Sequence, residues 1–137
     1  MDEQLREVAR IHGAAGPWAV AGYRMGKHAL ERLGLQPQSF DLEVIHHSPP
    51  AVQLSCIADG AAAATGASLG KLNLRLVTAD EAGVATTYRR RSTGASITLR
   101  PTAAFQARFR DLPSERIPDA GRLVLKLPAA EVFEEAR

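Results

Sequence analysis

Sulfur and aromatic rings are scarce in this chain of 137 residues, which has one cysteine, Cys56, one tryptophan, two tyrosines and four phenylalanines. A lone cysteine excludes an internal disulfide framework and fits a reducing compartment. Aromatics make up 5% of a chain that is 45% hydrophobic, so the core has to be packed from small aliphatic side chains, with backbones in close approach. No apolar run nears the roughly 20 residues that cross a bilayer, so no membrane partner is expected. The formal net charge is +2 and no long basic block occurs, which argues against nucleic acid as the partner. The opening MDEQLREVAR lacks a basic region followed by an apolar run, so no signal peptide is visible and a cytoplasmic protein is expected. The length and the balance of apolar to charged residues describe one soluble globular domain, residues 1–137.

The first pattern present is helical. Leu5, Val8 and Ile11 place a short helix over 3–11, broken by Gly13 to Gly16. Pro17 sits at a favoured first helical position. Trp18, Ala21, Met25, Ala29 and Leu33 then recur at helical steps, and Gly34 stands where a helix-ending glycine belongs. Gly22 and Gly26 interrupt this helix, each costing roughly 1 kcal/mol of propensity against alanine. Another backbone packed very close would offset that. Residues 40–47 alternate as a strand and stop at Pro49-Pro50. The alanine-rich CIADGAAAA reads as helix from about Leu54, followed by a loop over 65–70. Strands are expected at 73–78, 84–91 and 96–100, forming an antiparallel meander through turns at Gly83 and Ser92-Thr93-Gly94. A short helix from Pro101-Thr102 to Arg110, a strand at 123–126 and a last helix over 128–135 complete the expectation. The fold class is α+β, an antiparallel sheet packed against helices.

Few side chains carry chemistry. On a helix, Cys56 and Asp59 share a face. With His12 brought near, they would make a transition-metal site for an ion such as zinc, or a nucleophilic site with His12 as base and Asp59 as orienter. On its own, Cys56 reads as a small buried apolar residue, as lone cysteines commonly are. The loop TGASLGK, Thr65 to Lys71, is no P-loop, because three residues separate its glycines and Leu72 follows the lysine. Two glycines and a lysine can still cradle an anion, or form an ordinary turn. In Tyr88-Arg89-Arg90-Arg91 the arginines divide between two strand faces, as a phosphate-binding patch or as a solvated hairpin end. His46 and His47 point to opposite faces, so at most one reaches the interior. His28 reads as a helix-surface histidine.

Three separated blocks resemble one family. His12-Gly13, Gly16-Pro17 and Gly22-Tyr23-Arg24-Met25-Gly26 are similar to the H-G-H-x-C-P-G and G-x-R-M-G opening of the formylmethanofuran dehydrogenase E-subunit family. Ser55-Cys56-Ile57-Ala58-Asp59-Gly60 is similar to its S/N-C-x-x-D-[GA], and Thr65-Gly66-Ala67-Ser68-Leu69-Gly70-Lys71-Leu72-Asn73 to its T-G-C-T-x-G-K-G-N. LVLKLPAAEVFE looks like the end of the family's core domain, without the C-terminal zinc finger many members carry. The resemblance implies an α+β core, usually dimeric, with a His/Cys pocket for a metal or cofactor. It assigns His12 and Cys56 to a metal, and Asp59, Thr65, Gly66, Gly70, Lys71 and Asn73 to a bound cofactor or small anionic ligand. This chain departs from the pattern at Ala14, Gly16, Trp18, Ala67 and Leu72, so that only part of a His/Cys site remains. The expected function is a metal- or small-cofactor-binding accessory protein and homodimer. The alternatives are a structural homodimer that has lost the site, with Trp18 filling part of the pocket, and a Cys- or metal-dependent enzyme.

Overall fold

The structure, a computed structural model, describes residues 2–136. Its first helix, α1 (Glu3–His12), opens with the Asp2 carboxylate accepting from the Gln4 N–H at 2.8 Å and ends at Gly13. Helix α2 (Pro17–Leu33) starts at the proline behind Gly16 and ends at Gly34, whose φ of 67° only glycine adopts easily. Strand β1 (Leu42–Ser48) follows, and helix α3 (Cys56–Thr65) crosses to strand β2 (Leu74–Thr78). The chain continues through β3 (Ala85–Arg90), β4 (Ser96–Pro101), α4 (Ala103–Phe109), α5 (Ile117–Lys126) and β5 (Phe133–Glu135). The five strands form one sheet in the order β2-β1-β3-β4-β5. The β1–β2 pair is parallel and the other pairs are antiparallel, so the class is α+β.

Three expectations are corrected. The expected meander is broken, because β1 lies between β2 and β3. With α3 as the connection from β1, β2 can only return parallel to it. Residues 123–126 are the end of helix α5, not a strand. Pro118 and Asp119 open that helix, and Ala120 and Val124 bury one side of it. Residues 128–135 are not a helix but a short 3₁₀ turn, Ala129–Glu131, running into β5, which pairs with β4 from Leu99–Glu135 to Pro101–Phe133.

The glycines of α2 do meet another backbone. A Cβ placed on Gly22 would sit 2.1 Å from the Ile57 carbonyl oxygen, and one on Gly26 would sit 2.8 Å from the Ala64 Cβ. Facing them on α3, a Cβ on Gly60 would lie 1.9 Å from the Ala19 oxygen. The two helices therefore pack backbone to backbone, and the propensity lost at the glycines is offset by burial of alanine-sized side chains on both. Arg24, half-buried between the glycines, donates from Nη1 to the carbonyls of Val124 at 2.9 Å and Leu127, tying the last turn of α5 to α2. The rest of the core includes Val44, Tyr88 and Leu99 from the sheet and Phe105 and Phe109 from α4.

Candidate functional site

His12 is the last residue of α1, and Cys56 is the first of α3. The Gly13–Gly16 turn reverses the chain between α1 and α2, which leaves the His12 ring over the first turn of α3. There Nδ1–H donates to the Asp59 carboxylate at 2.8 Å. The pairing that helical spacing allowed between positions 56 and 59 is thus used: Asp59 holds the imidazole and Cys56 stands beside it. The Cys56 sulfur next to the ring and the Asp59 carboxylate, outweighing the opposing effect of burial, push the His12 pKa up to about 9. The thiol is buried beside that ring.

His12 and Cys56 open onto a common cavity of about 310 Å³, whose other walls include Trp18, Val52, Leu112 and Ile117. Trp18 does not plug it. Its indole N–H is anchored on the Phe109 carbonyl at 3.0 Å and its ring meets Phe105 edge-on at 5.2 Å, so the indole forms a wall. Gln53, on the cavity wall, joins two loops: its amide donates to the Asp111 carboxylate at 2.6 Å and accepts from the Asp111 N–H.

The second group of expected site residues lies elsewhere. Gly66 and Lys71 line a separate, more polar cavity of about 830 Å³ between α1, α3 and the 66–71 loop, and Asp59 reaches its edge. Lys71 Nζ donates to the Gly66 carbonyl at 2.6 Å and to Gln38 Oε1 at 2.8 Å. The Thr65 hydroxyl donates to the Ala61 carbonyl and accepts from the Ala67 N–H. Asn73 Oδ1 accepts from the Ser68 N–H at 2.9 Å, and Gly70 sits on the exposed turn between them. These bonds fold the loop onto itself at the end of α3, so His12 and Cys56 share one cavity while the lysine and glycines border another.

The remaining polar candidates are occupied within the fold. His46, fully buried, donates from Nε2–H to the Leu54 carbonyl and accepts the Thr86 hydroxyl proton at Nδ1, both at 2.9 Å, and burial holds its pKa below the usual value. Arg90 binds Asp41 and the Leu33 carbonyl, while Arg89 and Arg91 approach Glu43. The His28 ring packs against Phe133 at a tilt of 54°, with centroids 5.3 Å apart. Sequence reading missed Val52, Leu112 and Ile117 as cavity walls, because they come from segments far apart in the chain with no shared period.

Among the described residues no group of three or more His, Cys, Asp or Glu side chains is placed to hold a metal ion. Asp59 is engaged by the histidine, which leaves one imidazole nitrogen and one thiol as donors. Two donors alone do not make a closed structural zinc site.

Fold and site together define an α+β protein with a carboxylate-held imidazole beside a buried thiol, at the point where three helix ends meet. The FmdE family, described as "FmdE, Molybdenum formylmethanofuran dehydrogenase operon", matches residues 11–134, and the chain belongs to it. The match takes in His12, Cys56 and every other residue of the two cavities named above except Glu3, Arg6, Glu7 and Arg10 of α1. No curated protein matches the chain.

Proposed function

We propose that this FmdE-family chain is an accessory protein that binds a small cofactor in the His12–Cys56 cavity. The observation that carries the reading is the His12–Asp59 hydrogen bond set beside a buried thiol on the wall of a largely apolar cavity. Such a cavity excludes water, and a few converging polar groups at one corner orient what enters. A transition metal such as zinc belongs to this reading only together with the bound molecule. His12 and Cys56 supply two donors, Asp59 fixes the ring as carboxylates behind metal-bound histidines do, and the ligand completes the coordination. The chain is taken to work as a homodimer in the cytoplasm.

The test is native mass spectrometry and elemental analysis of the purified protein, followed by titration with Co²⁺. Bound metal or ligand that disappears in Cys56→Ser and weakens about 10- to 100-fold in Asp59→Asn supports the reading. Protein that is clean and ignores both Co²⁺ and Zn²⁺ removes the metal from it. Sedimentation velocity reads the oligomeric state.

A second reading has its own observation. Asp59, His12 and Cys56 follow one another as carboxylate, imidazole and thiol, an order that activates a nucleophile. Iodoacetamide at neutral pH tests it: alkylation of Cys56 much faster than for a free thiol, slowed in His12→Gln, supports an enzyme. Ordinary reactivity removes the nucleophile.

A further inference from the structure

The sheet has two edges, and they are built differently. Strand β5, at one end, is three residues long and carries Glu134 and Glu135, which reach Arg100 and Arg32. Short, charged edge strands discourage pairing with another chain. Strand β2, at the other end, has no such protection. Its sequence LRLVT holds no proline and one charge, Arg75. Four of its five residues are exposed, Leu76 and Val77 among them.

The register shows what that edge offers. The Asn73 carbonyl accepts from the Val44 N–H, and the Ala79 N–H donates to the Ser48 carbonyl, so Arg75 and Val77 between them also turn their amides towards β1. Leu74, Leu76 and Thr78 therefore point their N–H and C=O groups away from the sheet, where among the described residues no strand meets them. Apolar side chains gather at the same edge. Arg91 donates to the carbonyls of Phe40 and Leu72 just before β2, and the Leu72 N–H donates to the Leu69 carbonyl. Phe40 is 67% exposed and Leu69 76%. A single exposed apolar side chain is ordinary, but a group of them beside an unpaired strand marks an interaction surface.

Charge selects the occupant. Lys71 and Arg75 lie at one end of the strand, and Asp80 and the Arg110-bound Glu81 just past the other. Arg75 pairs with no carboxylate among the described residues. A second copy laid antiparallel brings this basic end alongside Asp80 and Glu81 of the partner subunit, whereas a parallel strand of the same sequence would set like charge against like. We propose that β2 pairs antiparallel with β2 of a second copy across a two-fold axis at Leu76, so that the two sheets become one. The outward amides of Leu74, Leu76 and Thr78 then bond those of Thr78, Leu76 and Leu74 of the partner subunit, a self-complementary contact. The inference rests on the homodimer taken above and names its interface.

The experiment is sedimentation velocity of the full chain over a series of concentrations, with circular dichroism to confirm folding. Leu76→Lys sets like charges opposite one another at the two-fold and is expected to weaken dimerisation about 100-fold or more. Thr78→Pro tests the backbone. The Thr78 N–H points away from β1, so the fold loses no ladder bond while the added strand does, and dimerisation is again expected to weaken. Mixing Leu76→Lys with Leu76→Glu is expected to restore the dimer, which misfolding cannot do. Should Leu76→Lys or Leu76→Glu fail to fold, Thr78→Pro decides. A dimer that persists unchanged in Leu76→Lys and Thr78→Pro overturns this interface and leaves the homodimer standing. Dissociation of both charged variants without recovery on mixing refutes the two-fold at Leu76. A parent chain that stays monomeric up to its solubility removes the homodimer and the interface together.

Discussion

Replacing Gly60 with alanine separates local propensity from tertiary packing, because the two demand opposite signs. Gly60 lies inside α3 with an ordinary helical backbone, so intrinsic propensity alone makes Gly60→Ala stabilising by roughly 1 kcal/mol. The packing forbids it. The new methyl carbon would lie 1.9 Å from the Ala19 oxygen and 2.6 Å from the Tyr23 nitrogen, both main-chain atoms of a buried helix that no rotamer change can move. Ordinary contact requires the helices to part by roughly 1.5 Å, which opens gaps along the whole α2–α3 seam and forfeits dispersion there. Overpacking costs about 1–3 kcal/mol where side chains can yield, and backbone obstacles put this case at the top of that range or above, for a net loss of about 2–4 kcal/mol. In a domain whose total stability is on the order of 5–15 kcal/mol, that lowers Tm by roughly 10 °C. Urea denaturation and thermal melts followed by circular dichroism measure both quantities. Gly70→Ala is the control: its nearest neighbour is the Ser68 hydroxyl at 3.9 Å, and a change within about 0.5 kcal/mol is expected. A Gly60→Ala protein as stable as the parent, or more stable, would show that the helices are not in the contact described.

The remaining predictions concern charge and backbone strain. Leu72 holds φ at +56° on an exposed turn, in the place where the family motif has glycine, so Leu72→Gly is expected to raise the urea midpoint by up to about 1 kcal/mol of stability. A value below the parent's would count against strain at that residue. Arg24→Met removes two charge-assisted bonds from the carbonyls ending α5, and a loss of about 2–4 kcal/mol is expected, with amide exchange accelerating first in α5. Stability should peak near pH 6.5. His12 binds its proton up to about pH 9 when folded but only up to 6.5 when unfolded, so its contribution is complete below 6.5 and lost as pH rises towards 9. The buried His46 is shifted the other way, so its contribution is complete above 6.5 and declines as pH falls below it. Urea midpoints from pH 5 to 9.5 should show both limbs, on the order of 1–3 kcal/mol on the alkaline side, and His12→Gln should flatten that side alone.

What the sequence disclosed depended on how local the cause was. Both ends of α2 were legible because Pro17 and Gly34 impose their conformations on one residue each. The close backbone was legible from Gly22 and Gly26, whose cost in a helix had to be met somewhere. The Cys56–Asp59 face followed from helical spacing, and its use came into view only with His12 delivered from α1. The errors arose where distant pairing decides. LVLK at 123–126 is an apolar run too short to distinguish strand from buried helix. The three residues of β5 extend only because β4 offers them an edge, and β2 runs parallel because α3 carries the chain across. The separation of Lys71 from the His12–Cys56 cavity was invisible for the same reason: motif order along the chain says nothing of which side of α3 each block faces.

The glycine seam also sets where this molecule can breathe. Helices that touch through main-chain atoms have no soft side chains between them to yield, so the wall of the cavity built from α2 and α3 opens only when the core itself comes apart. The opposite wall is two loops clasped by Gln53 and Asp111, an exposed pair of hydrogen bonds of the kind that break and reform on the nanosecond-to-microsecond scale of loops. A change at Gln53 is therefore expected to loosen these two loops while leaving the α2–α3 seam intact.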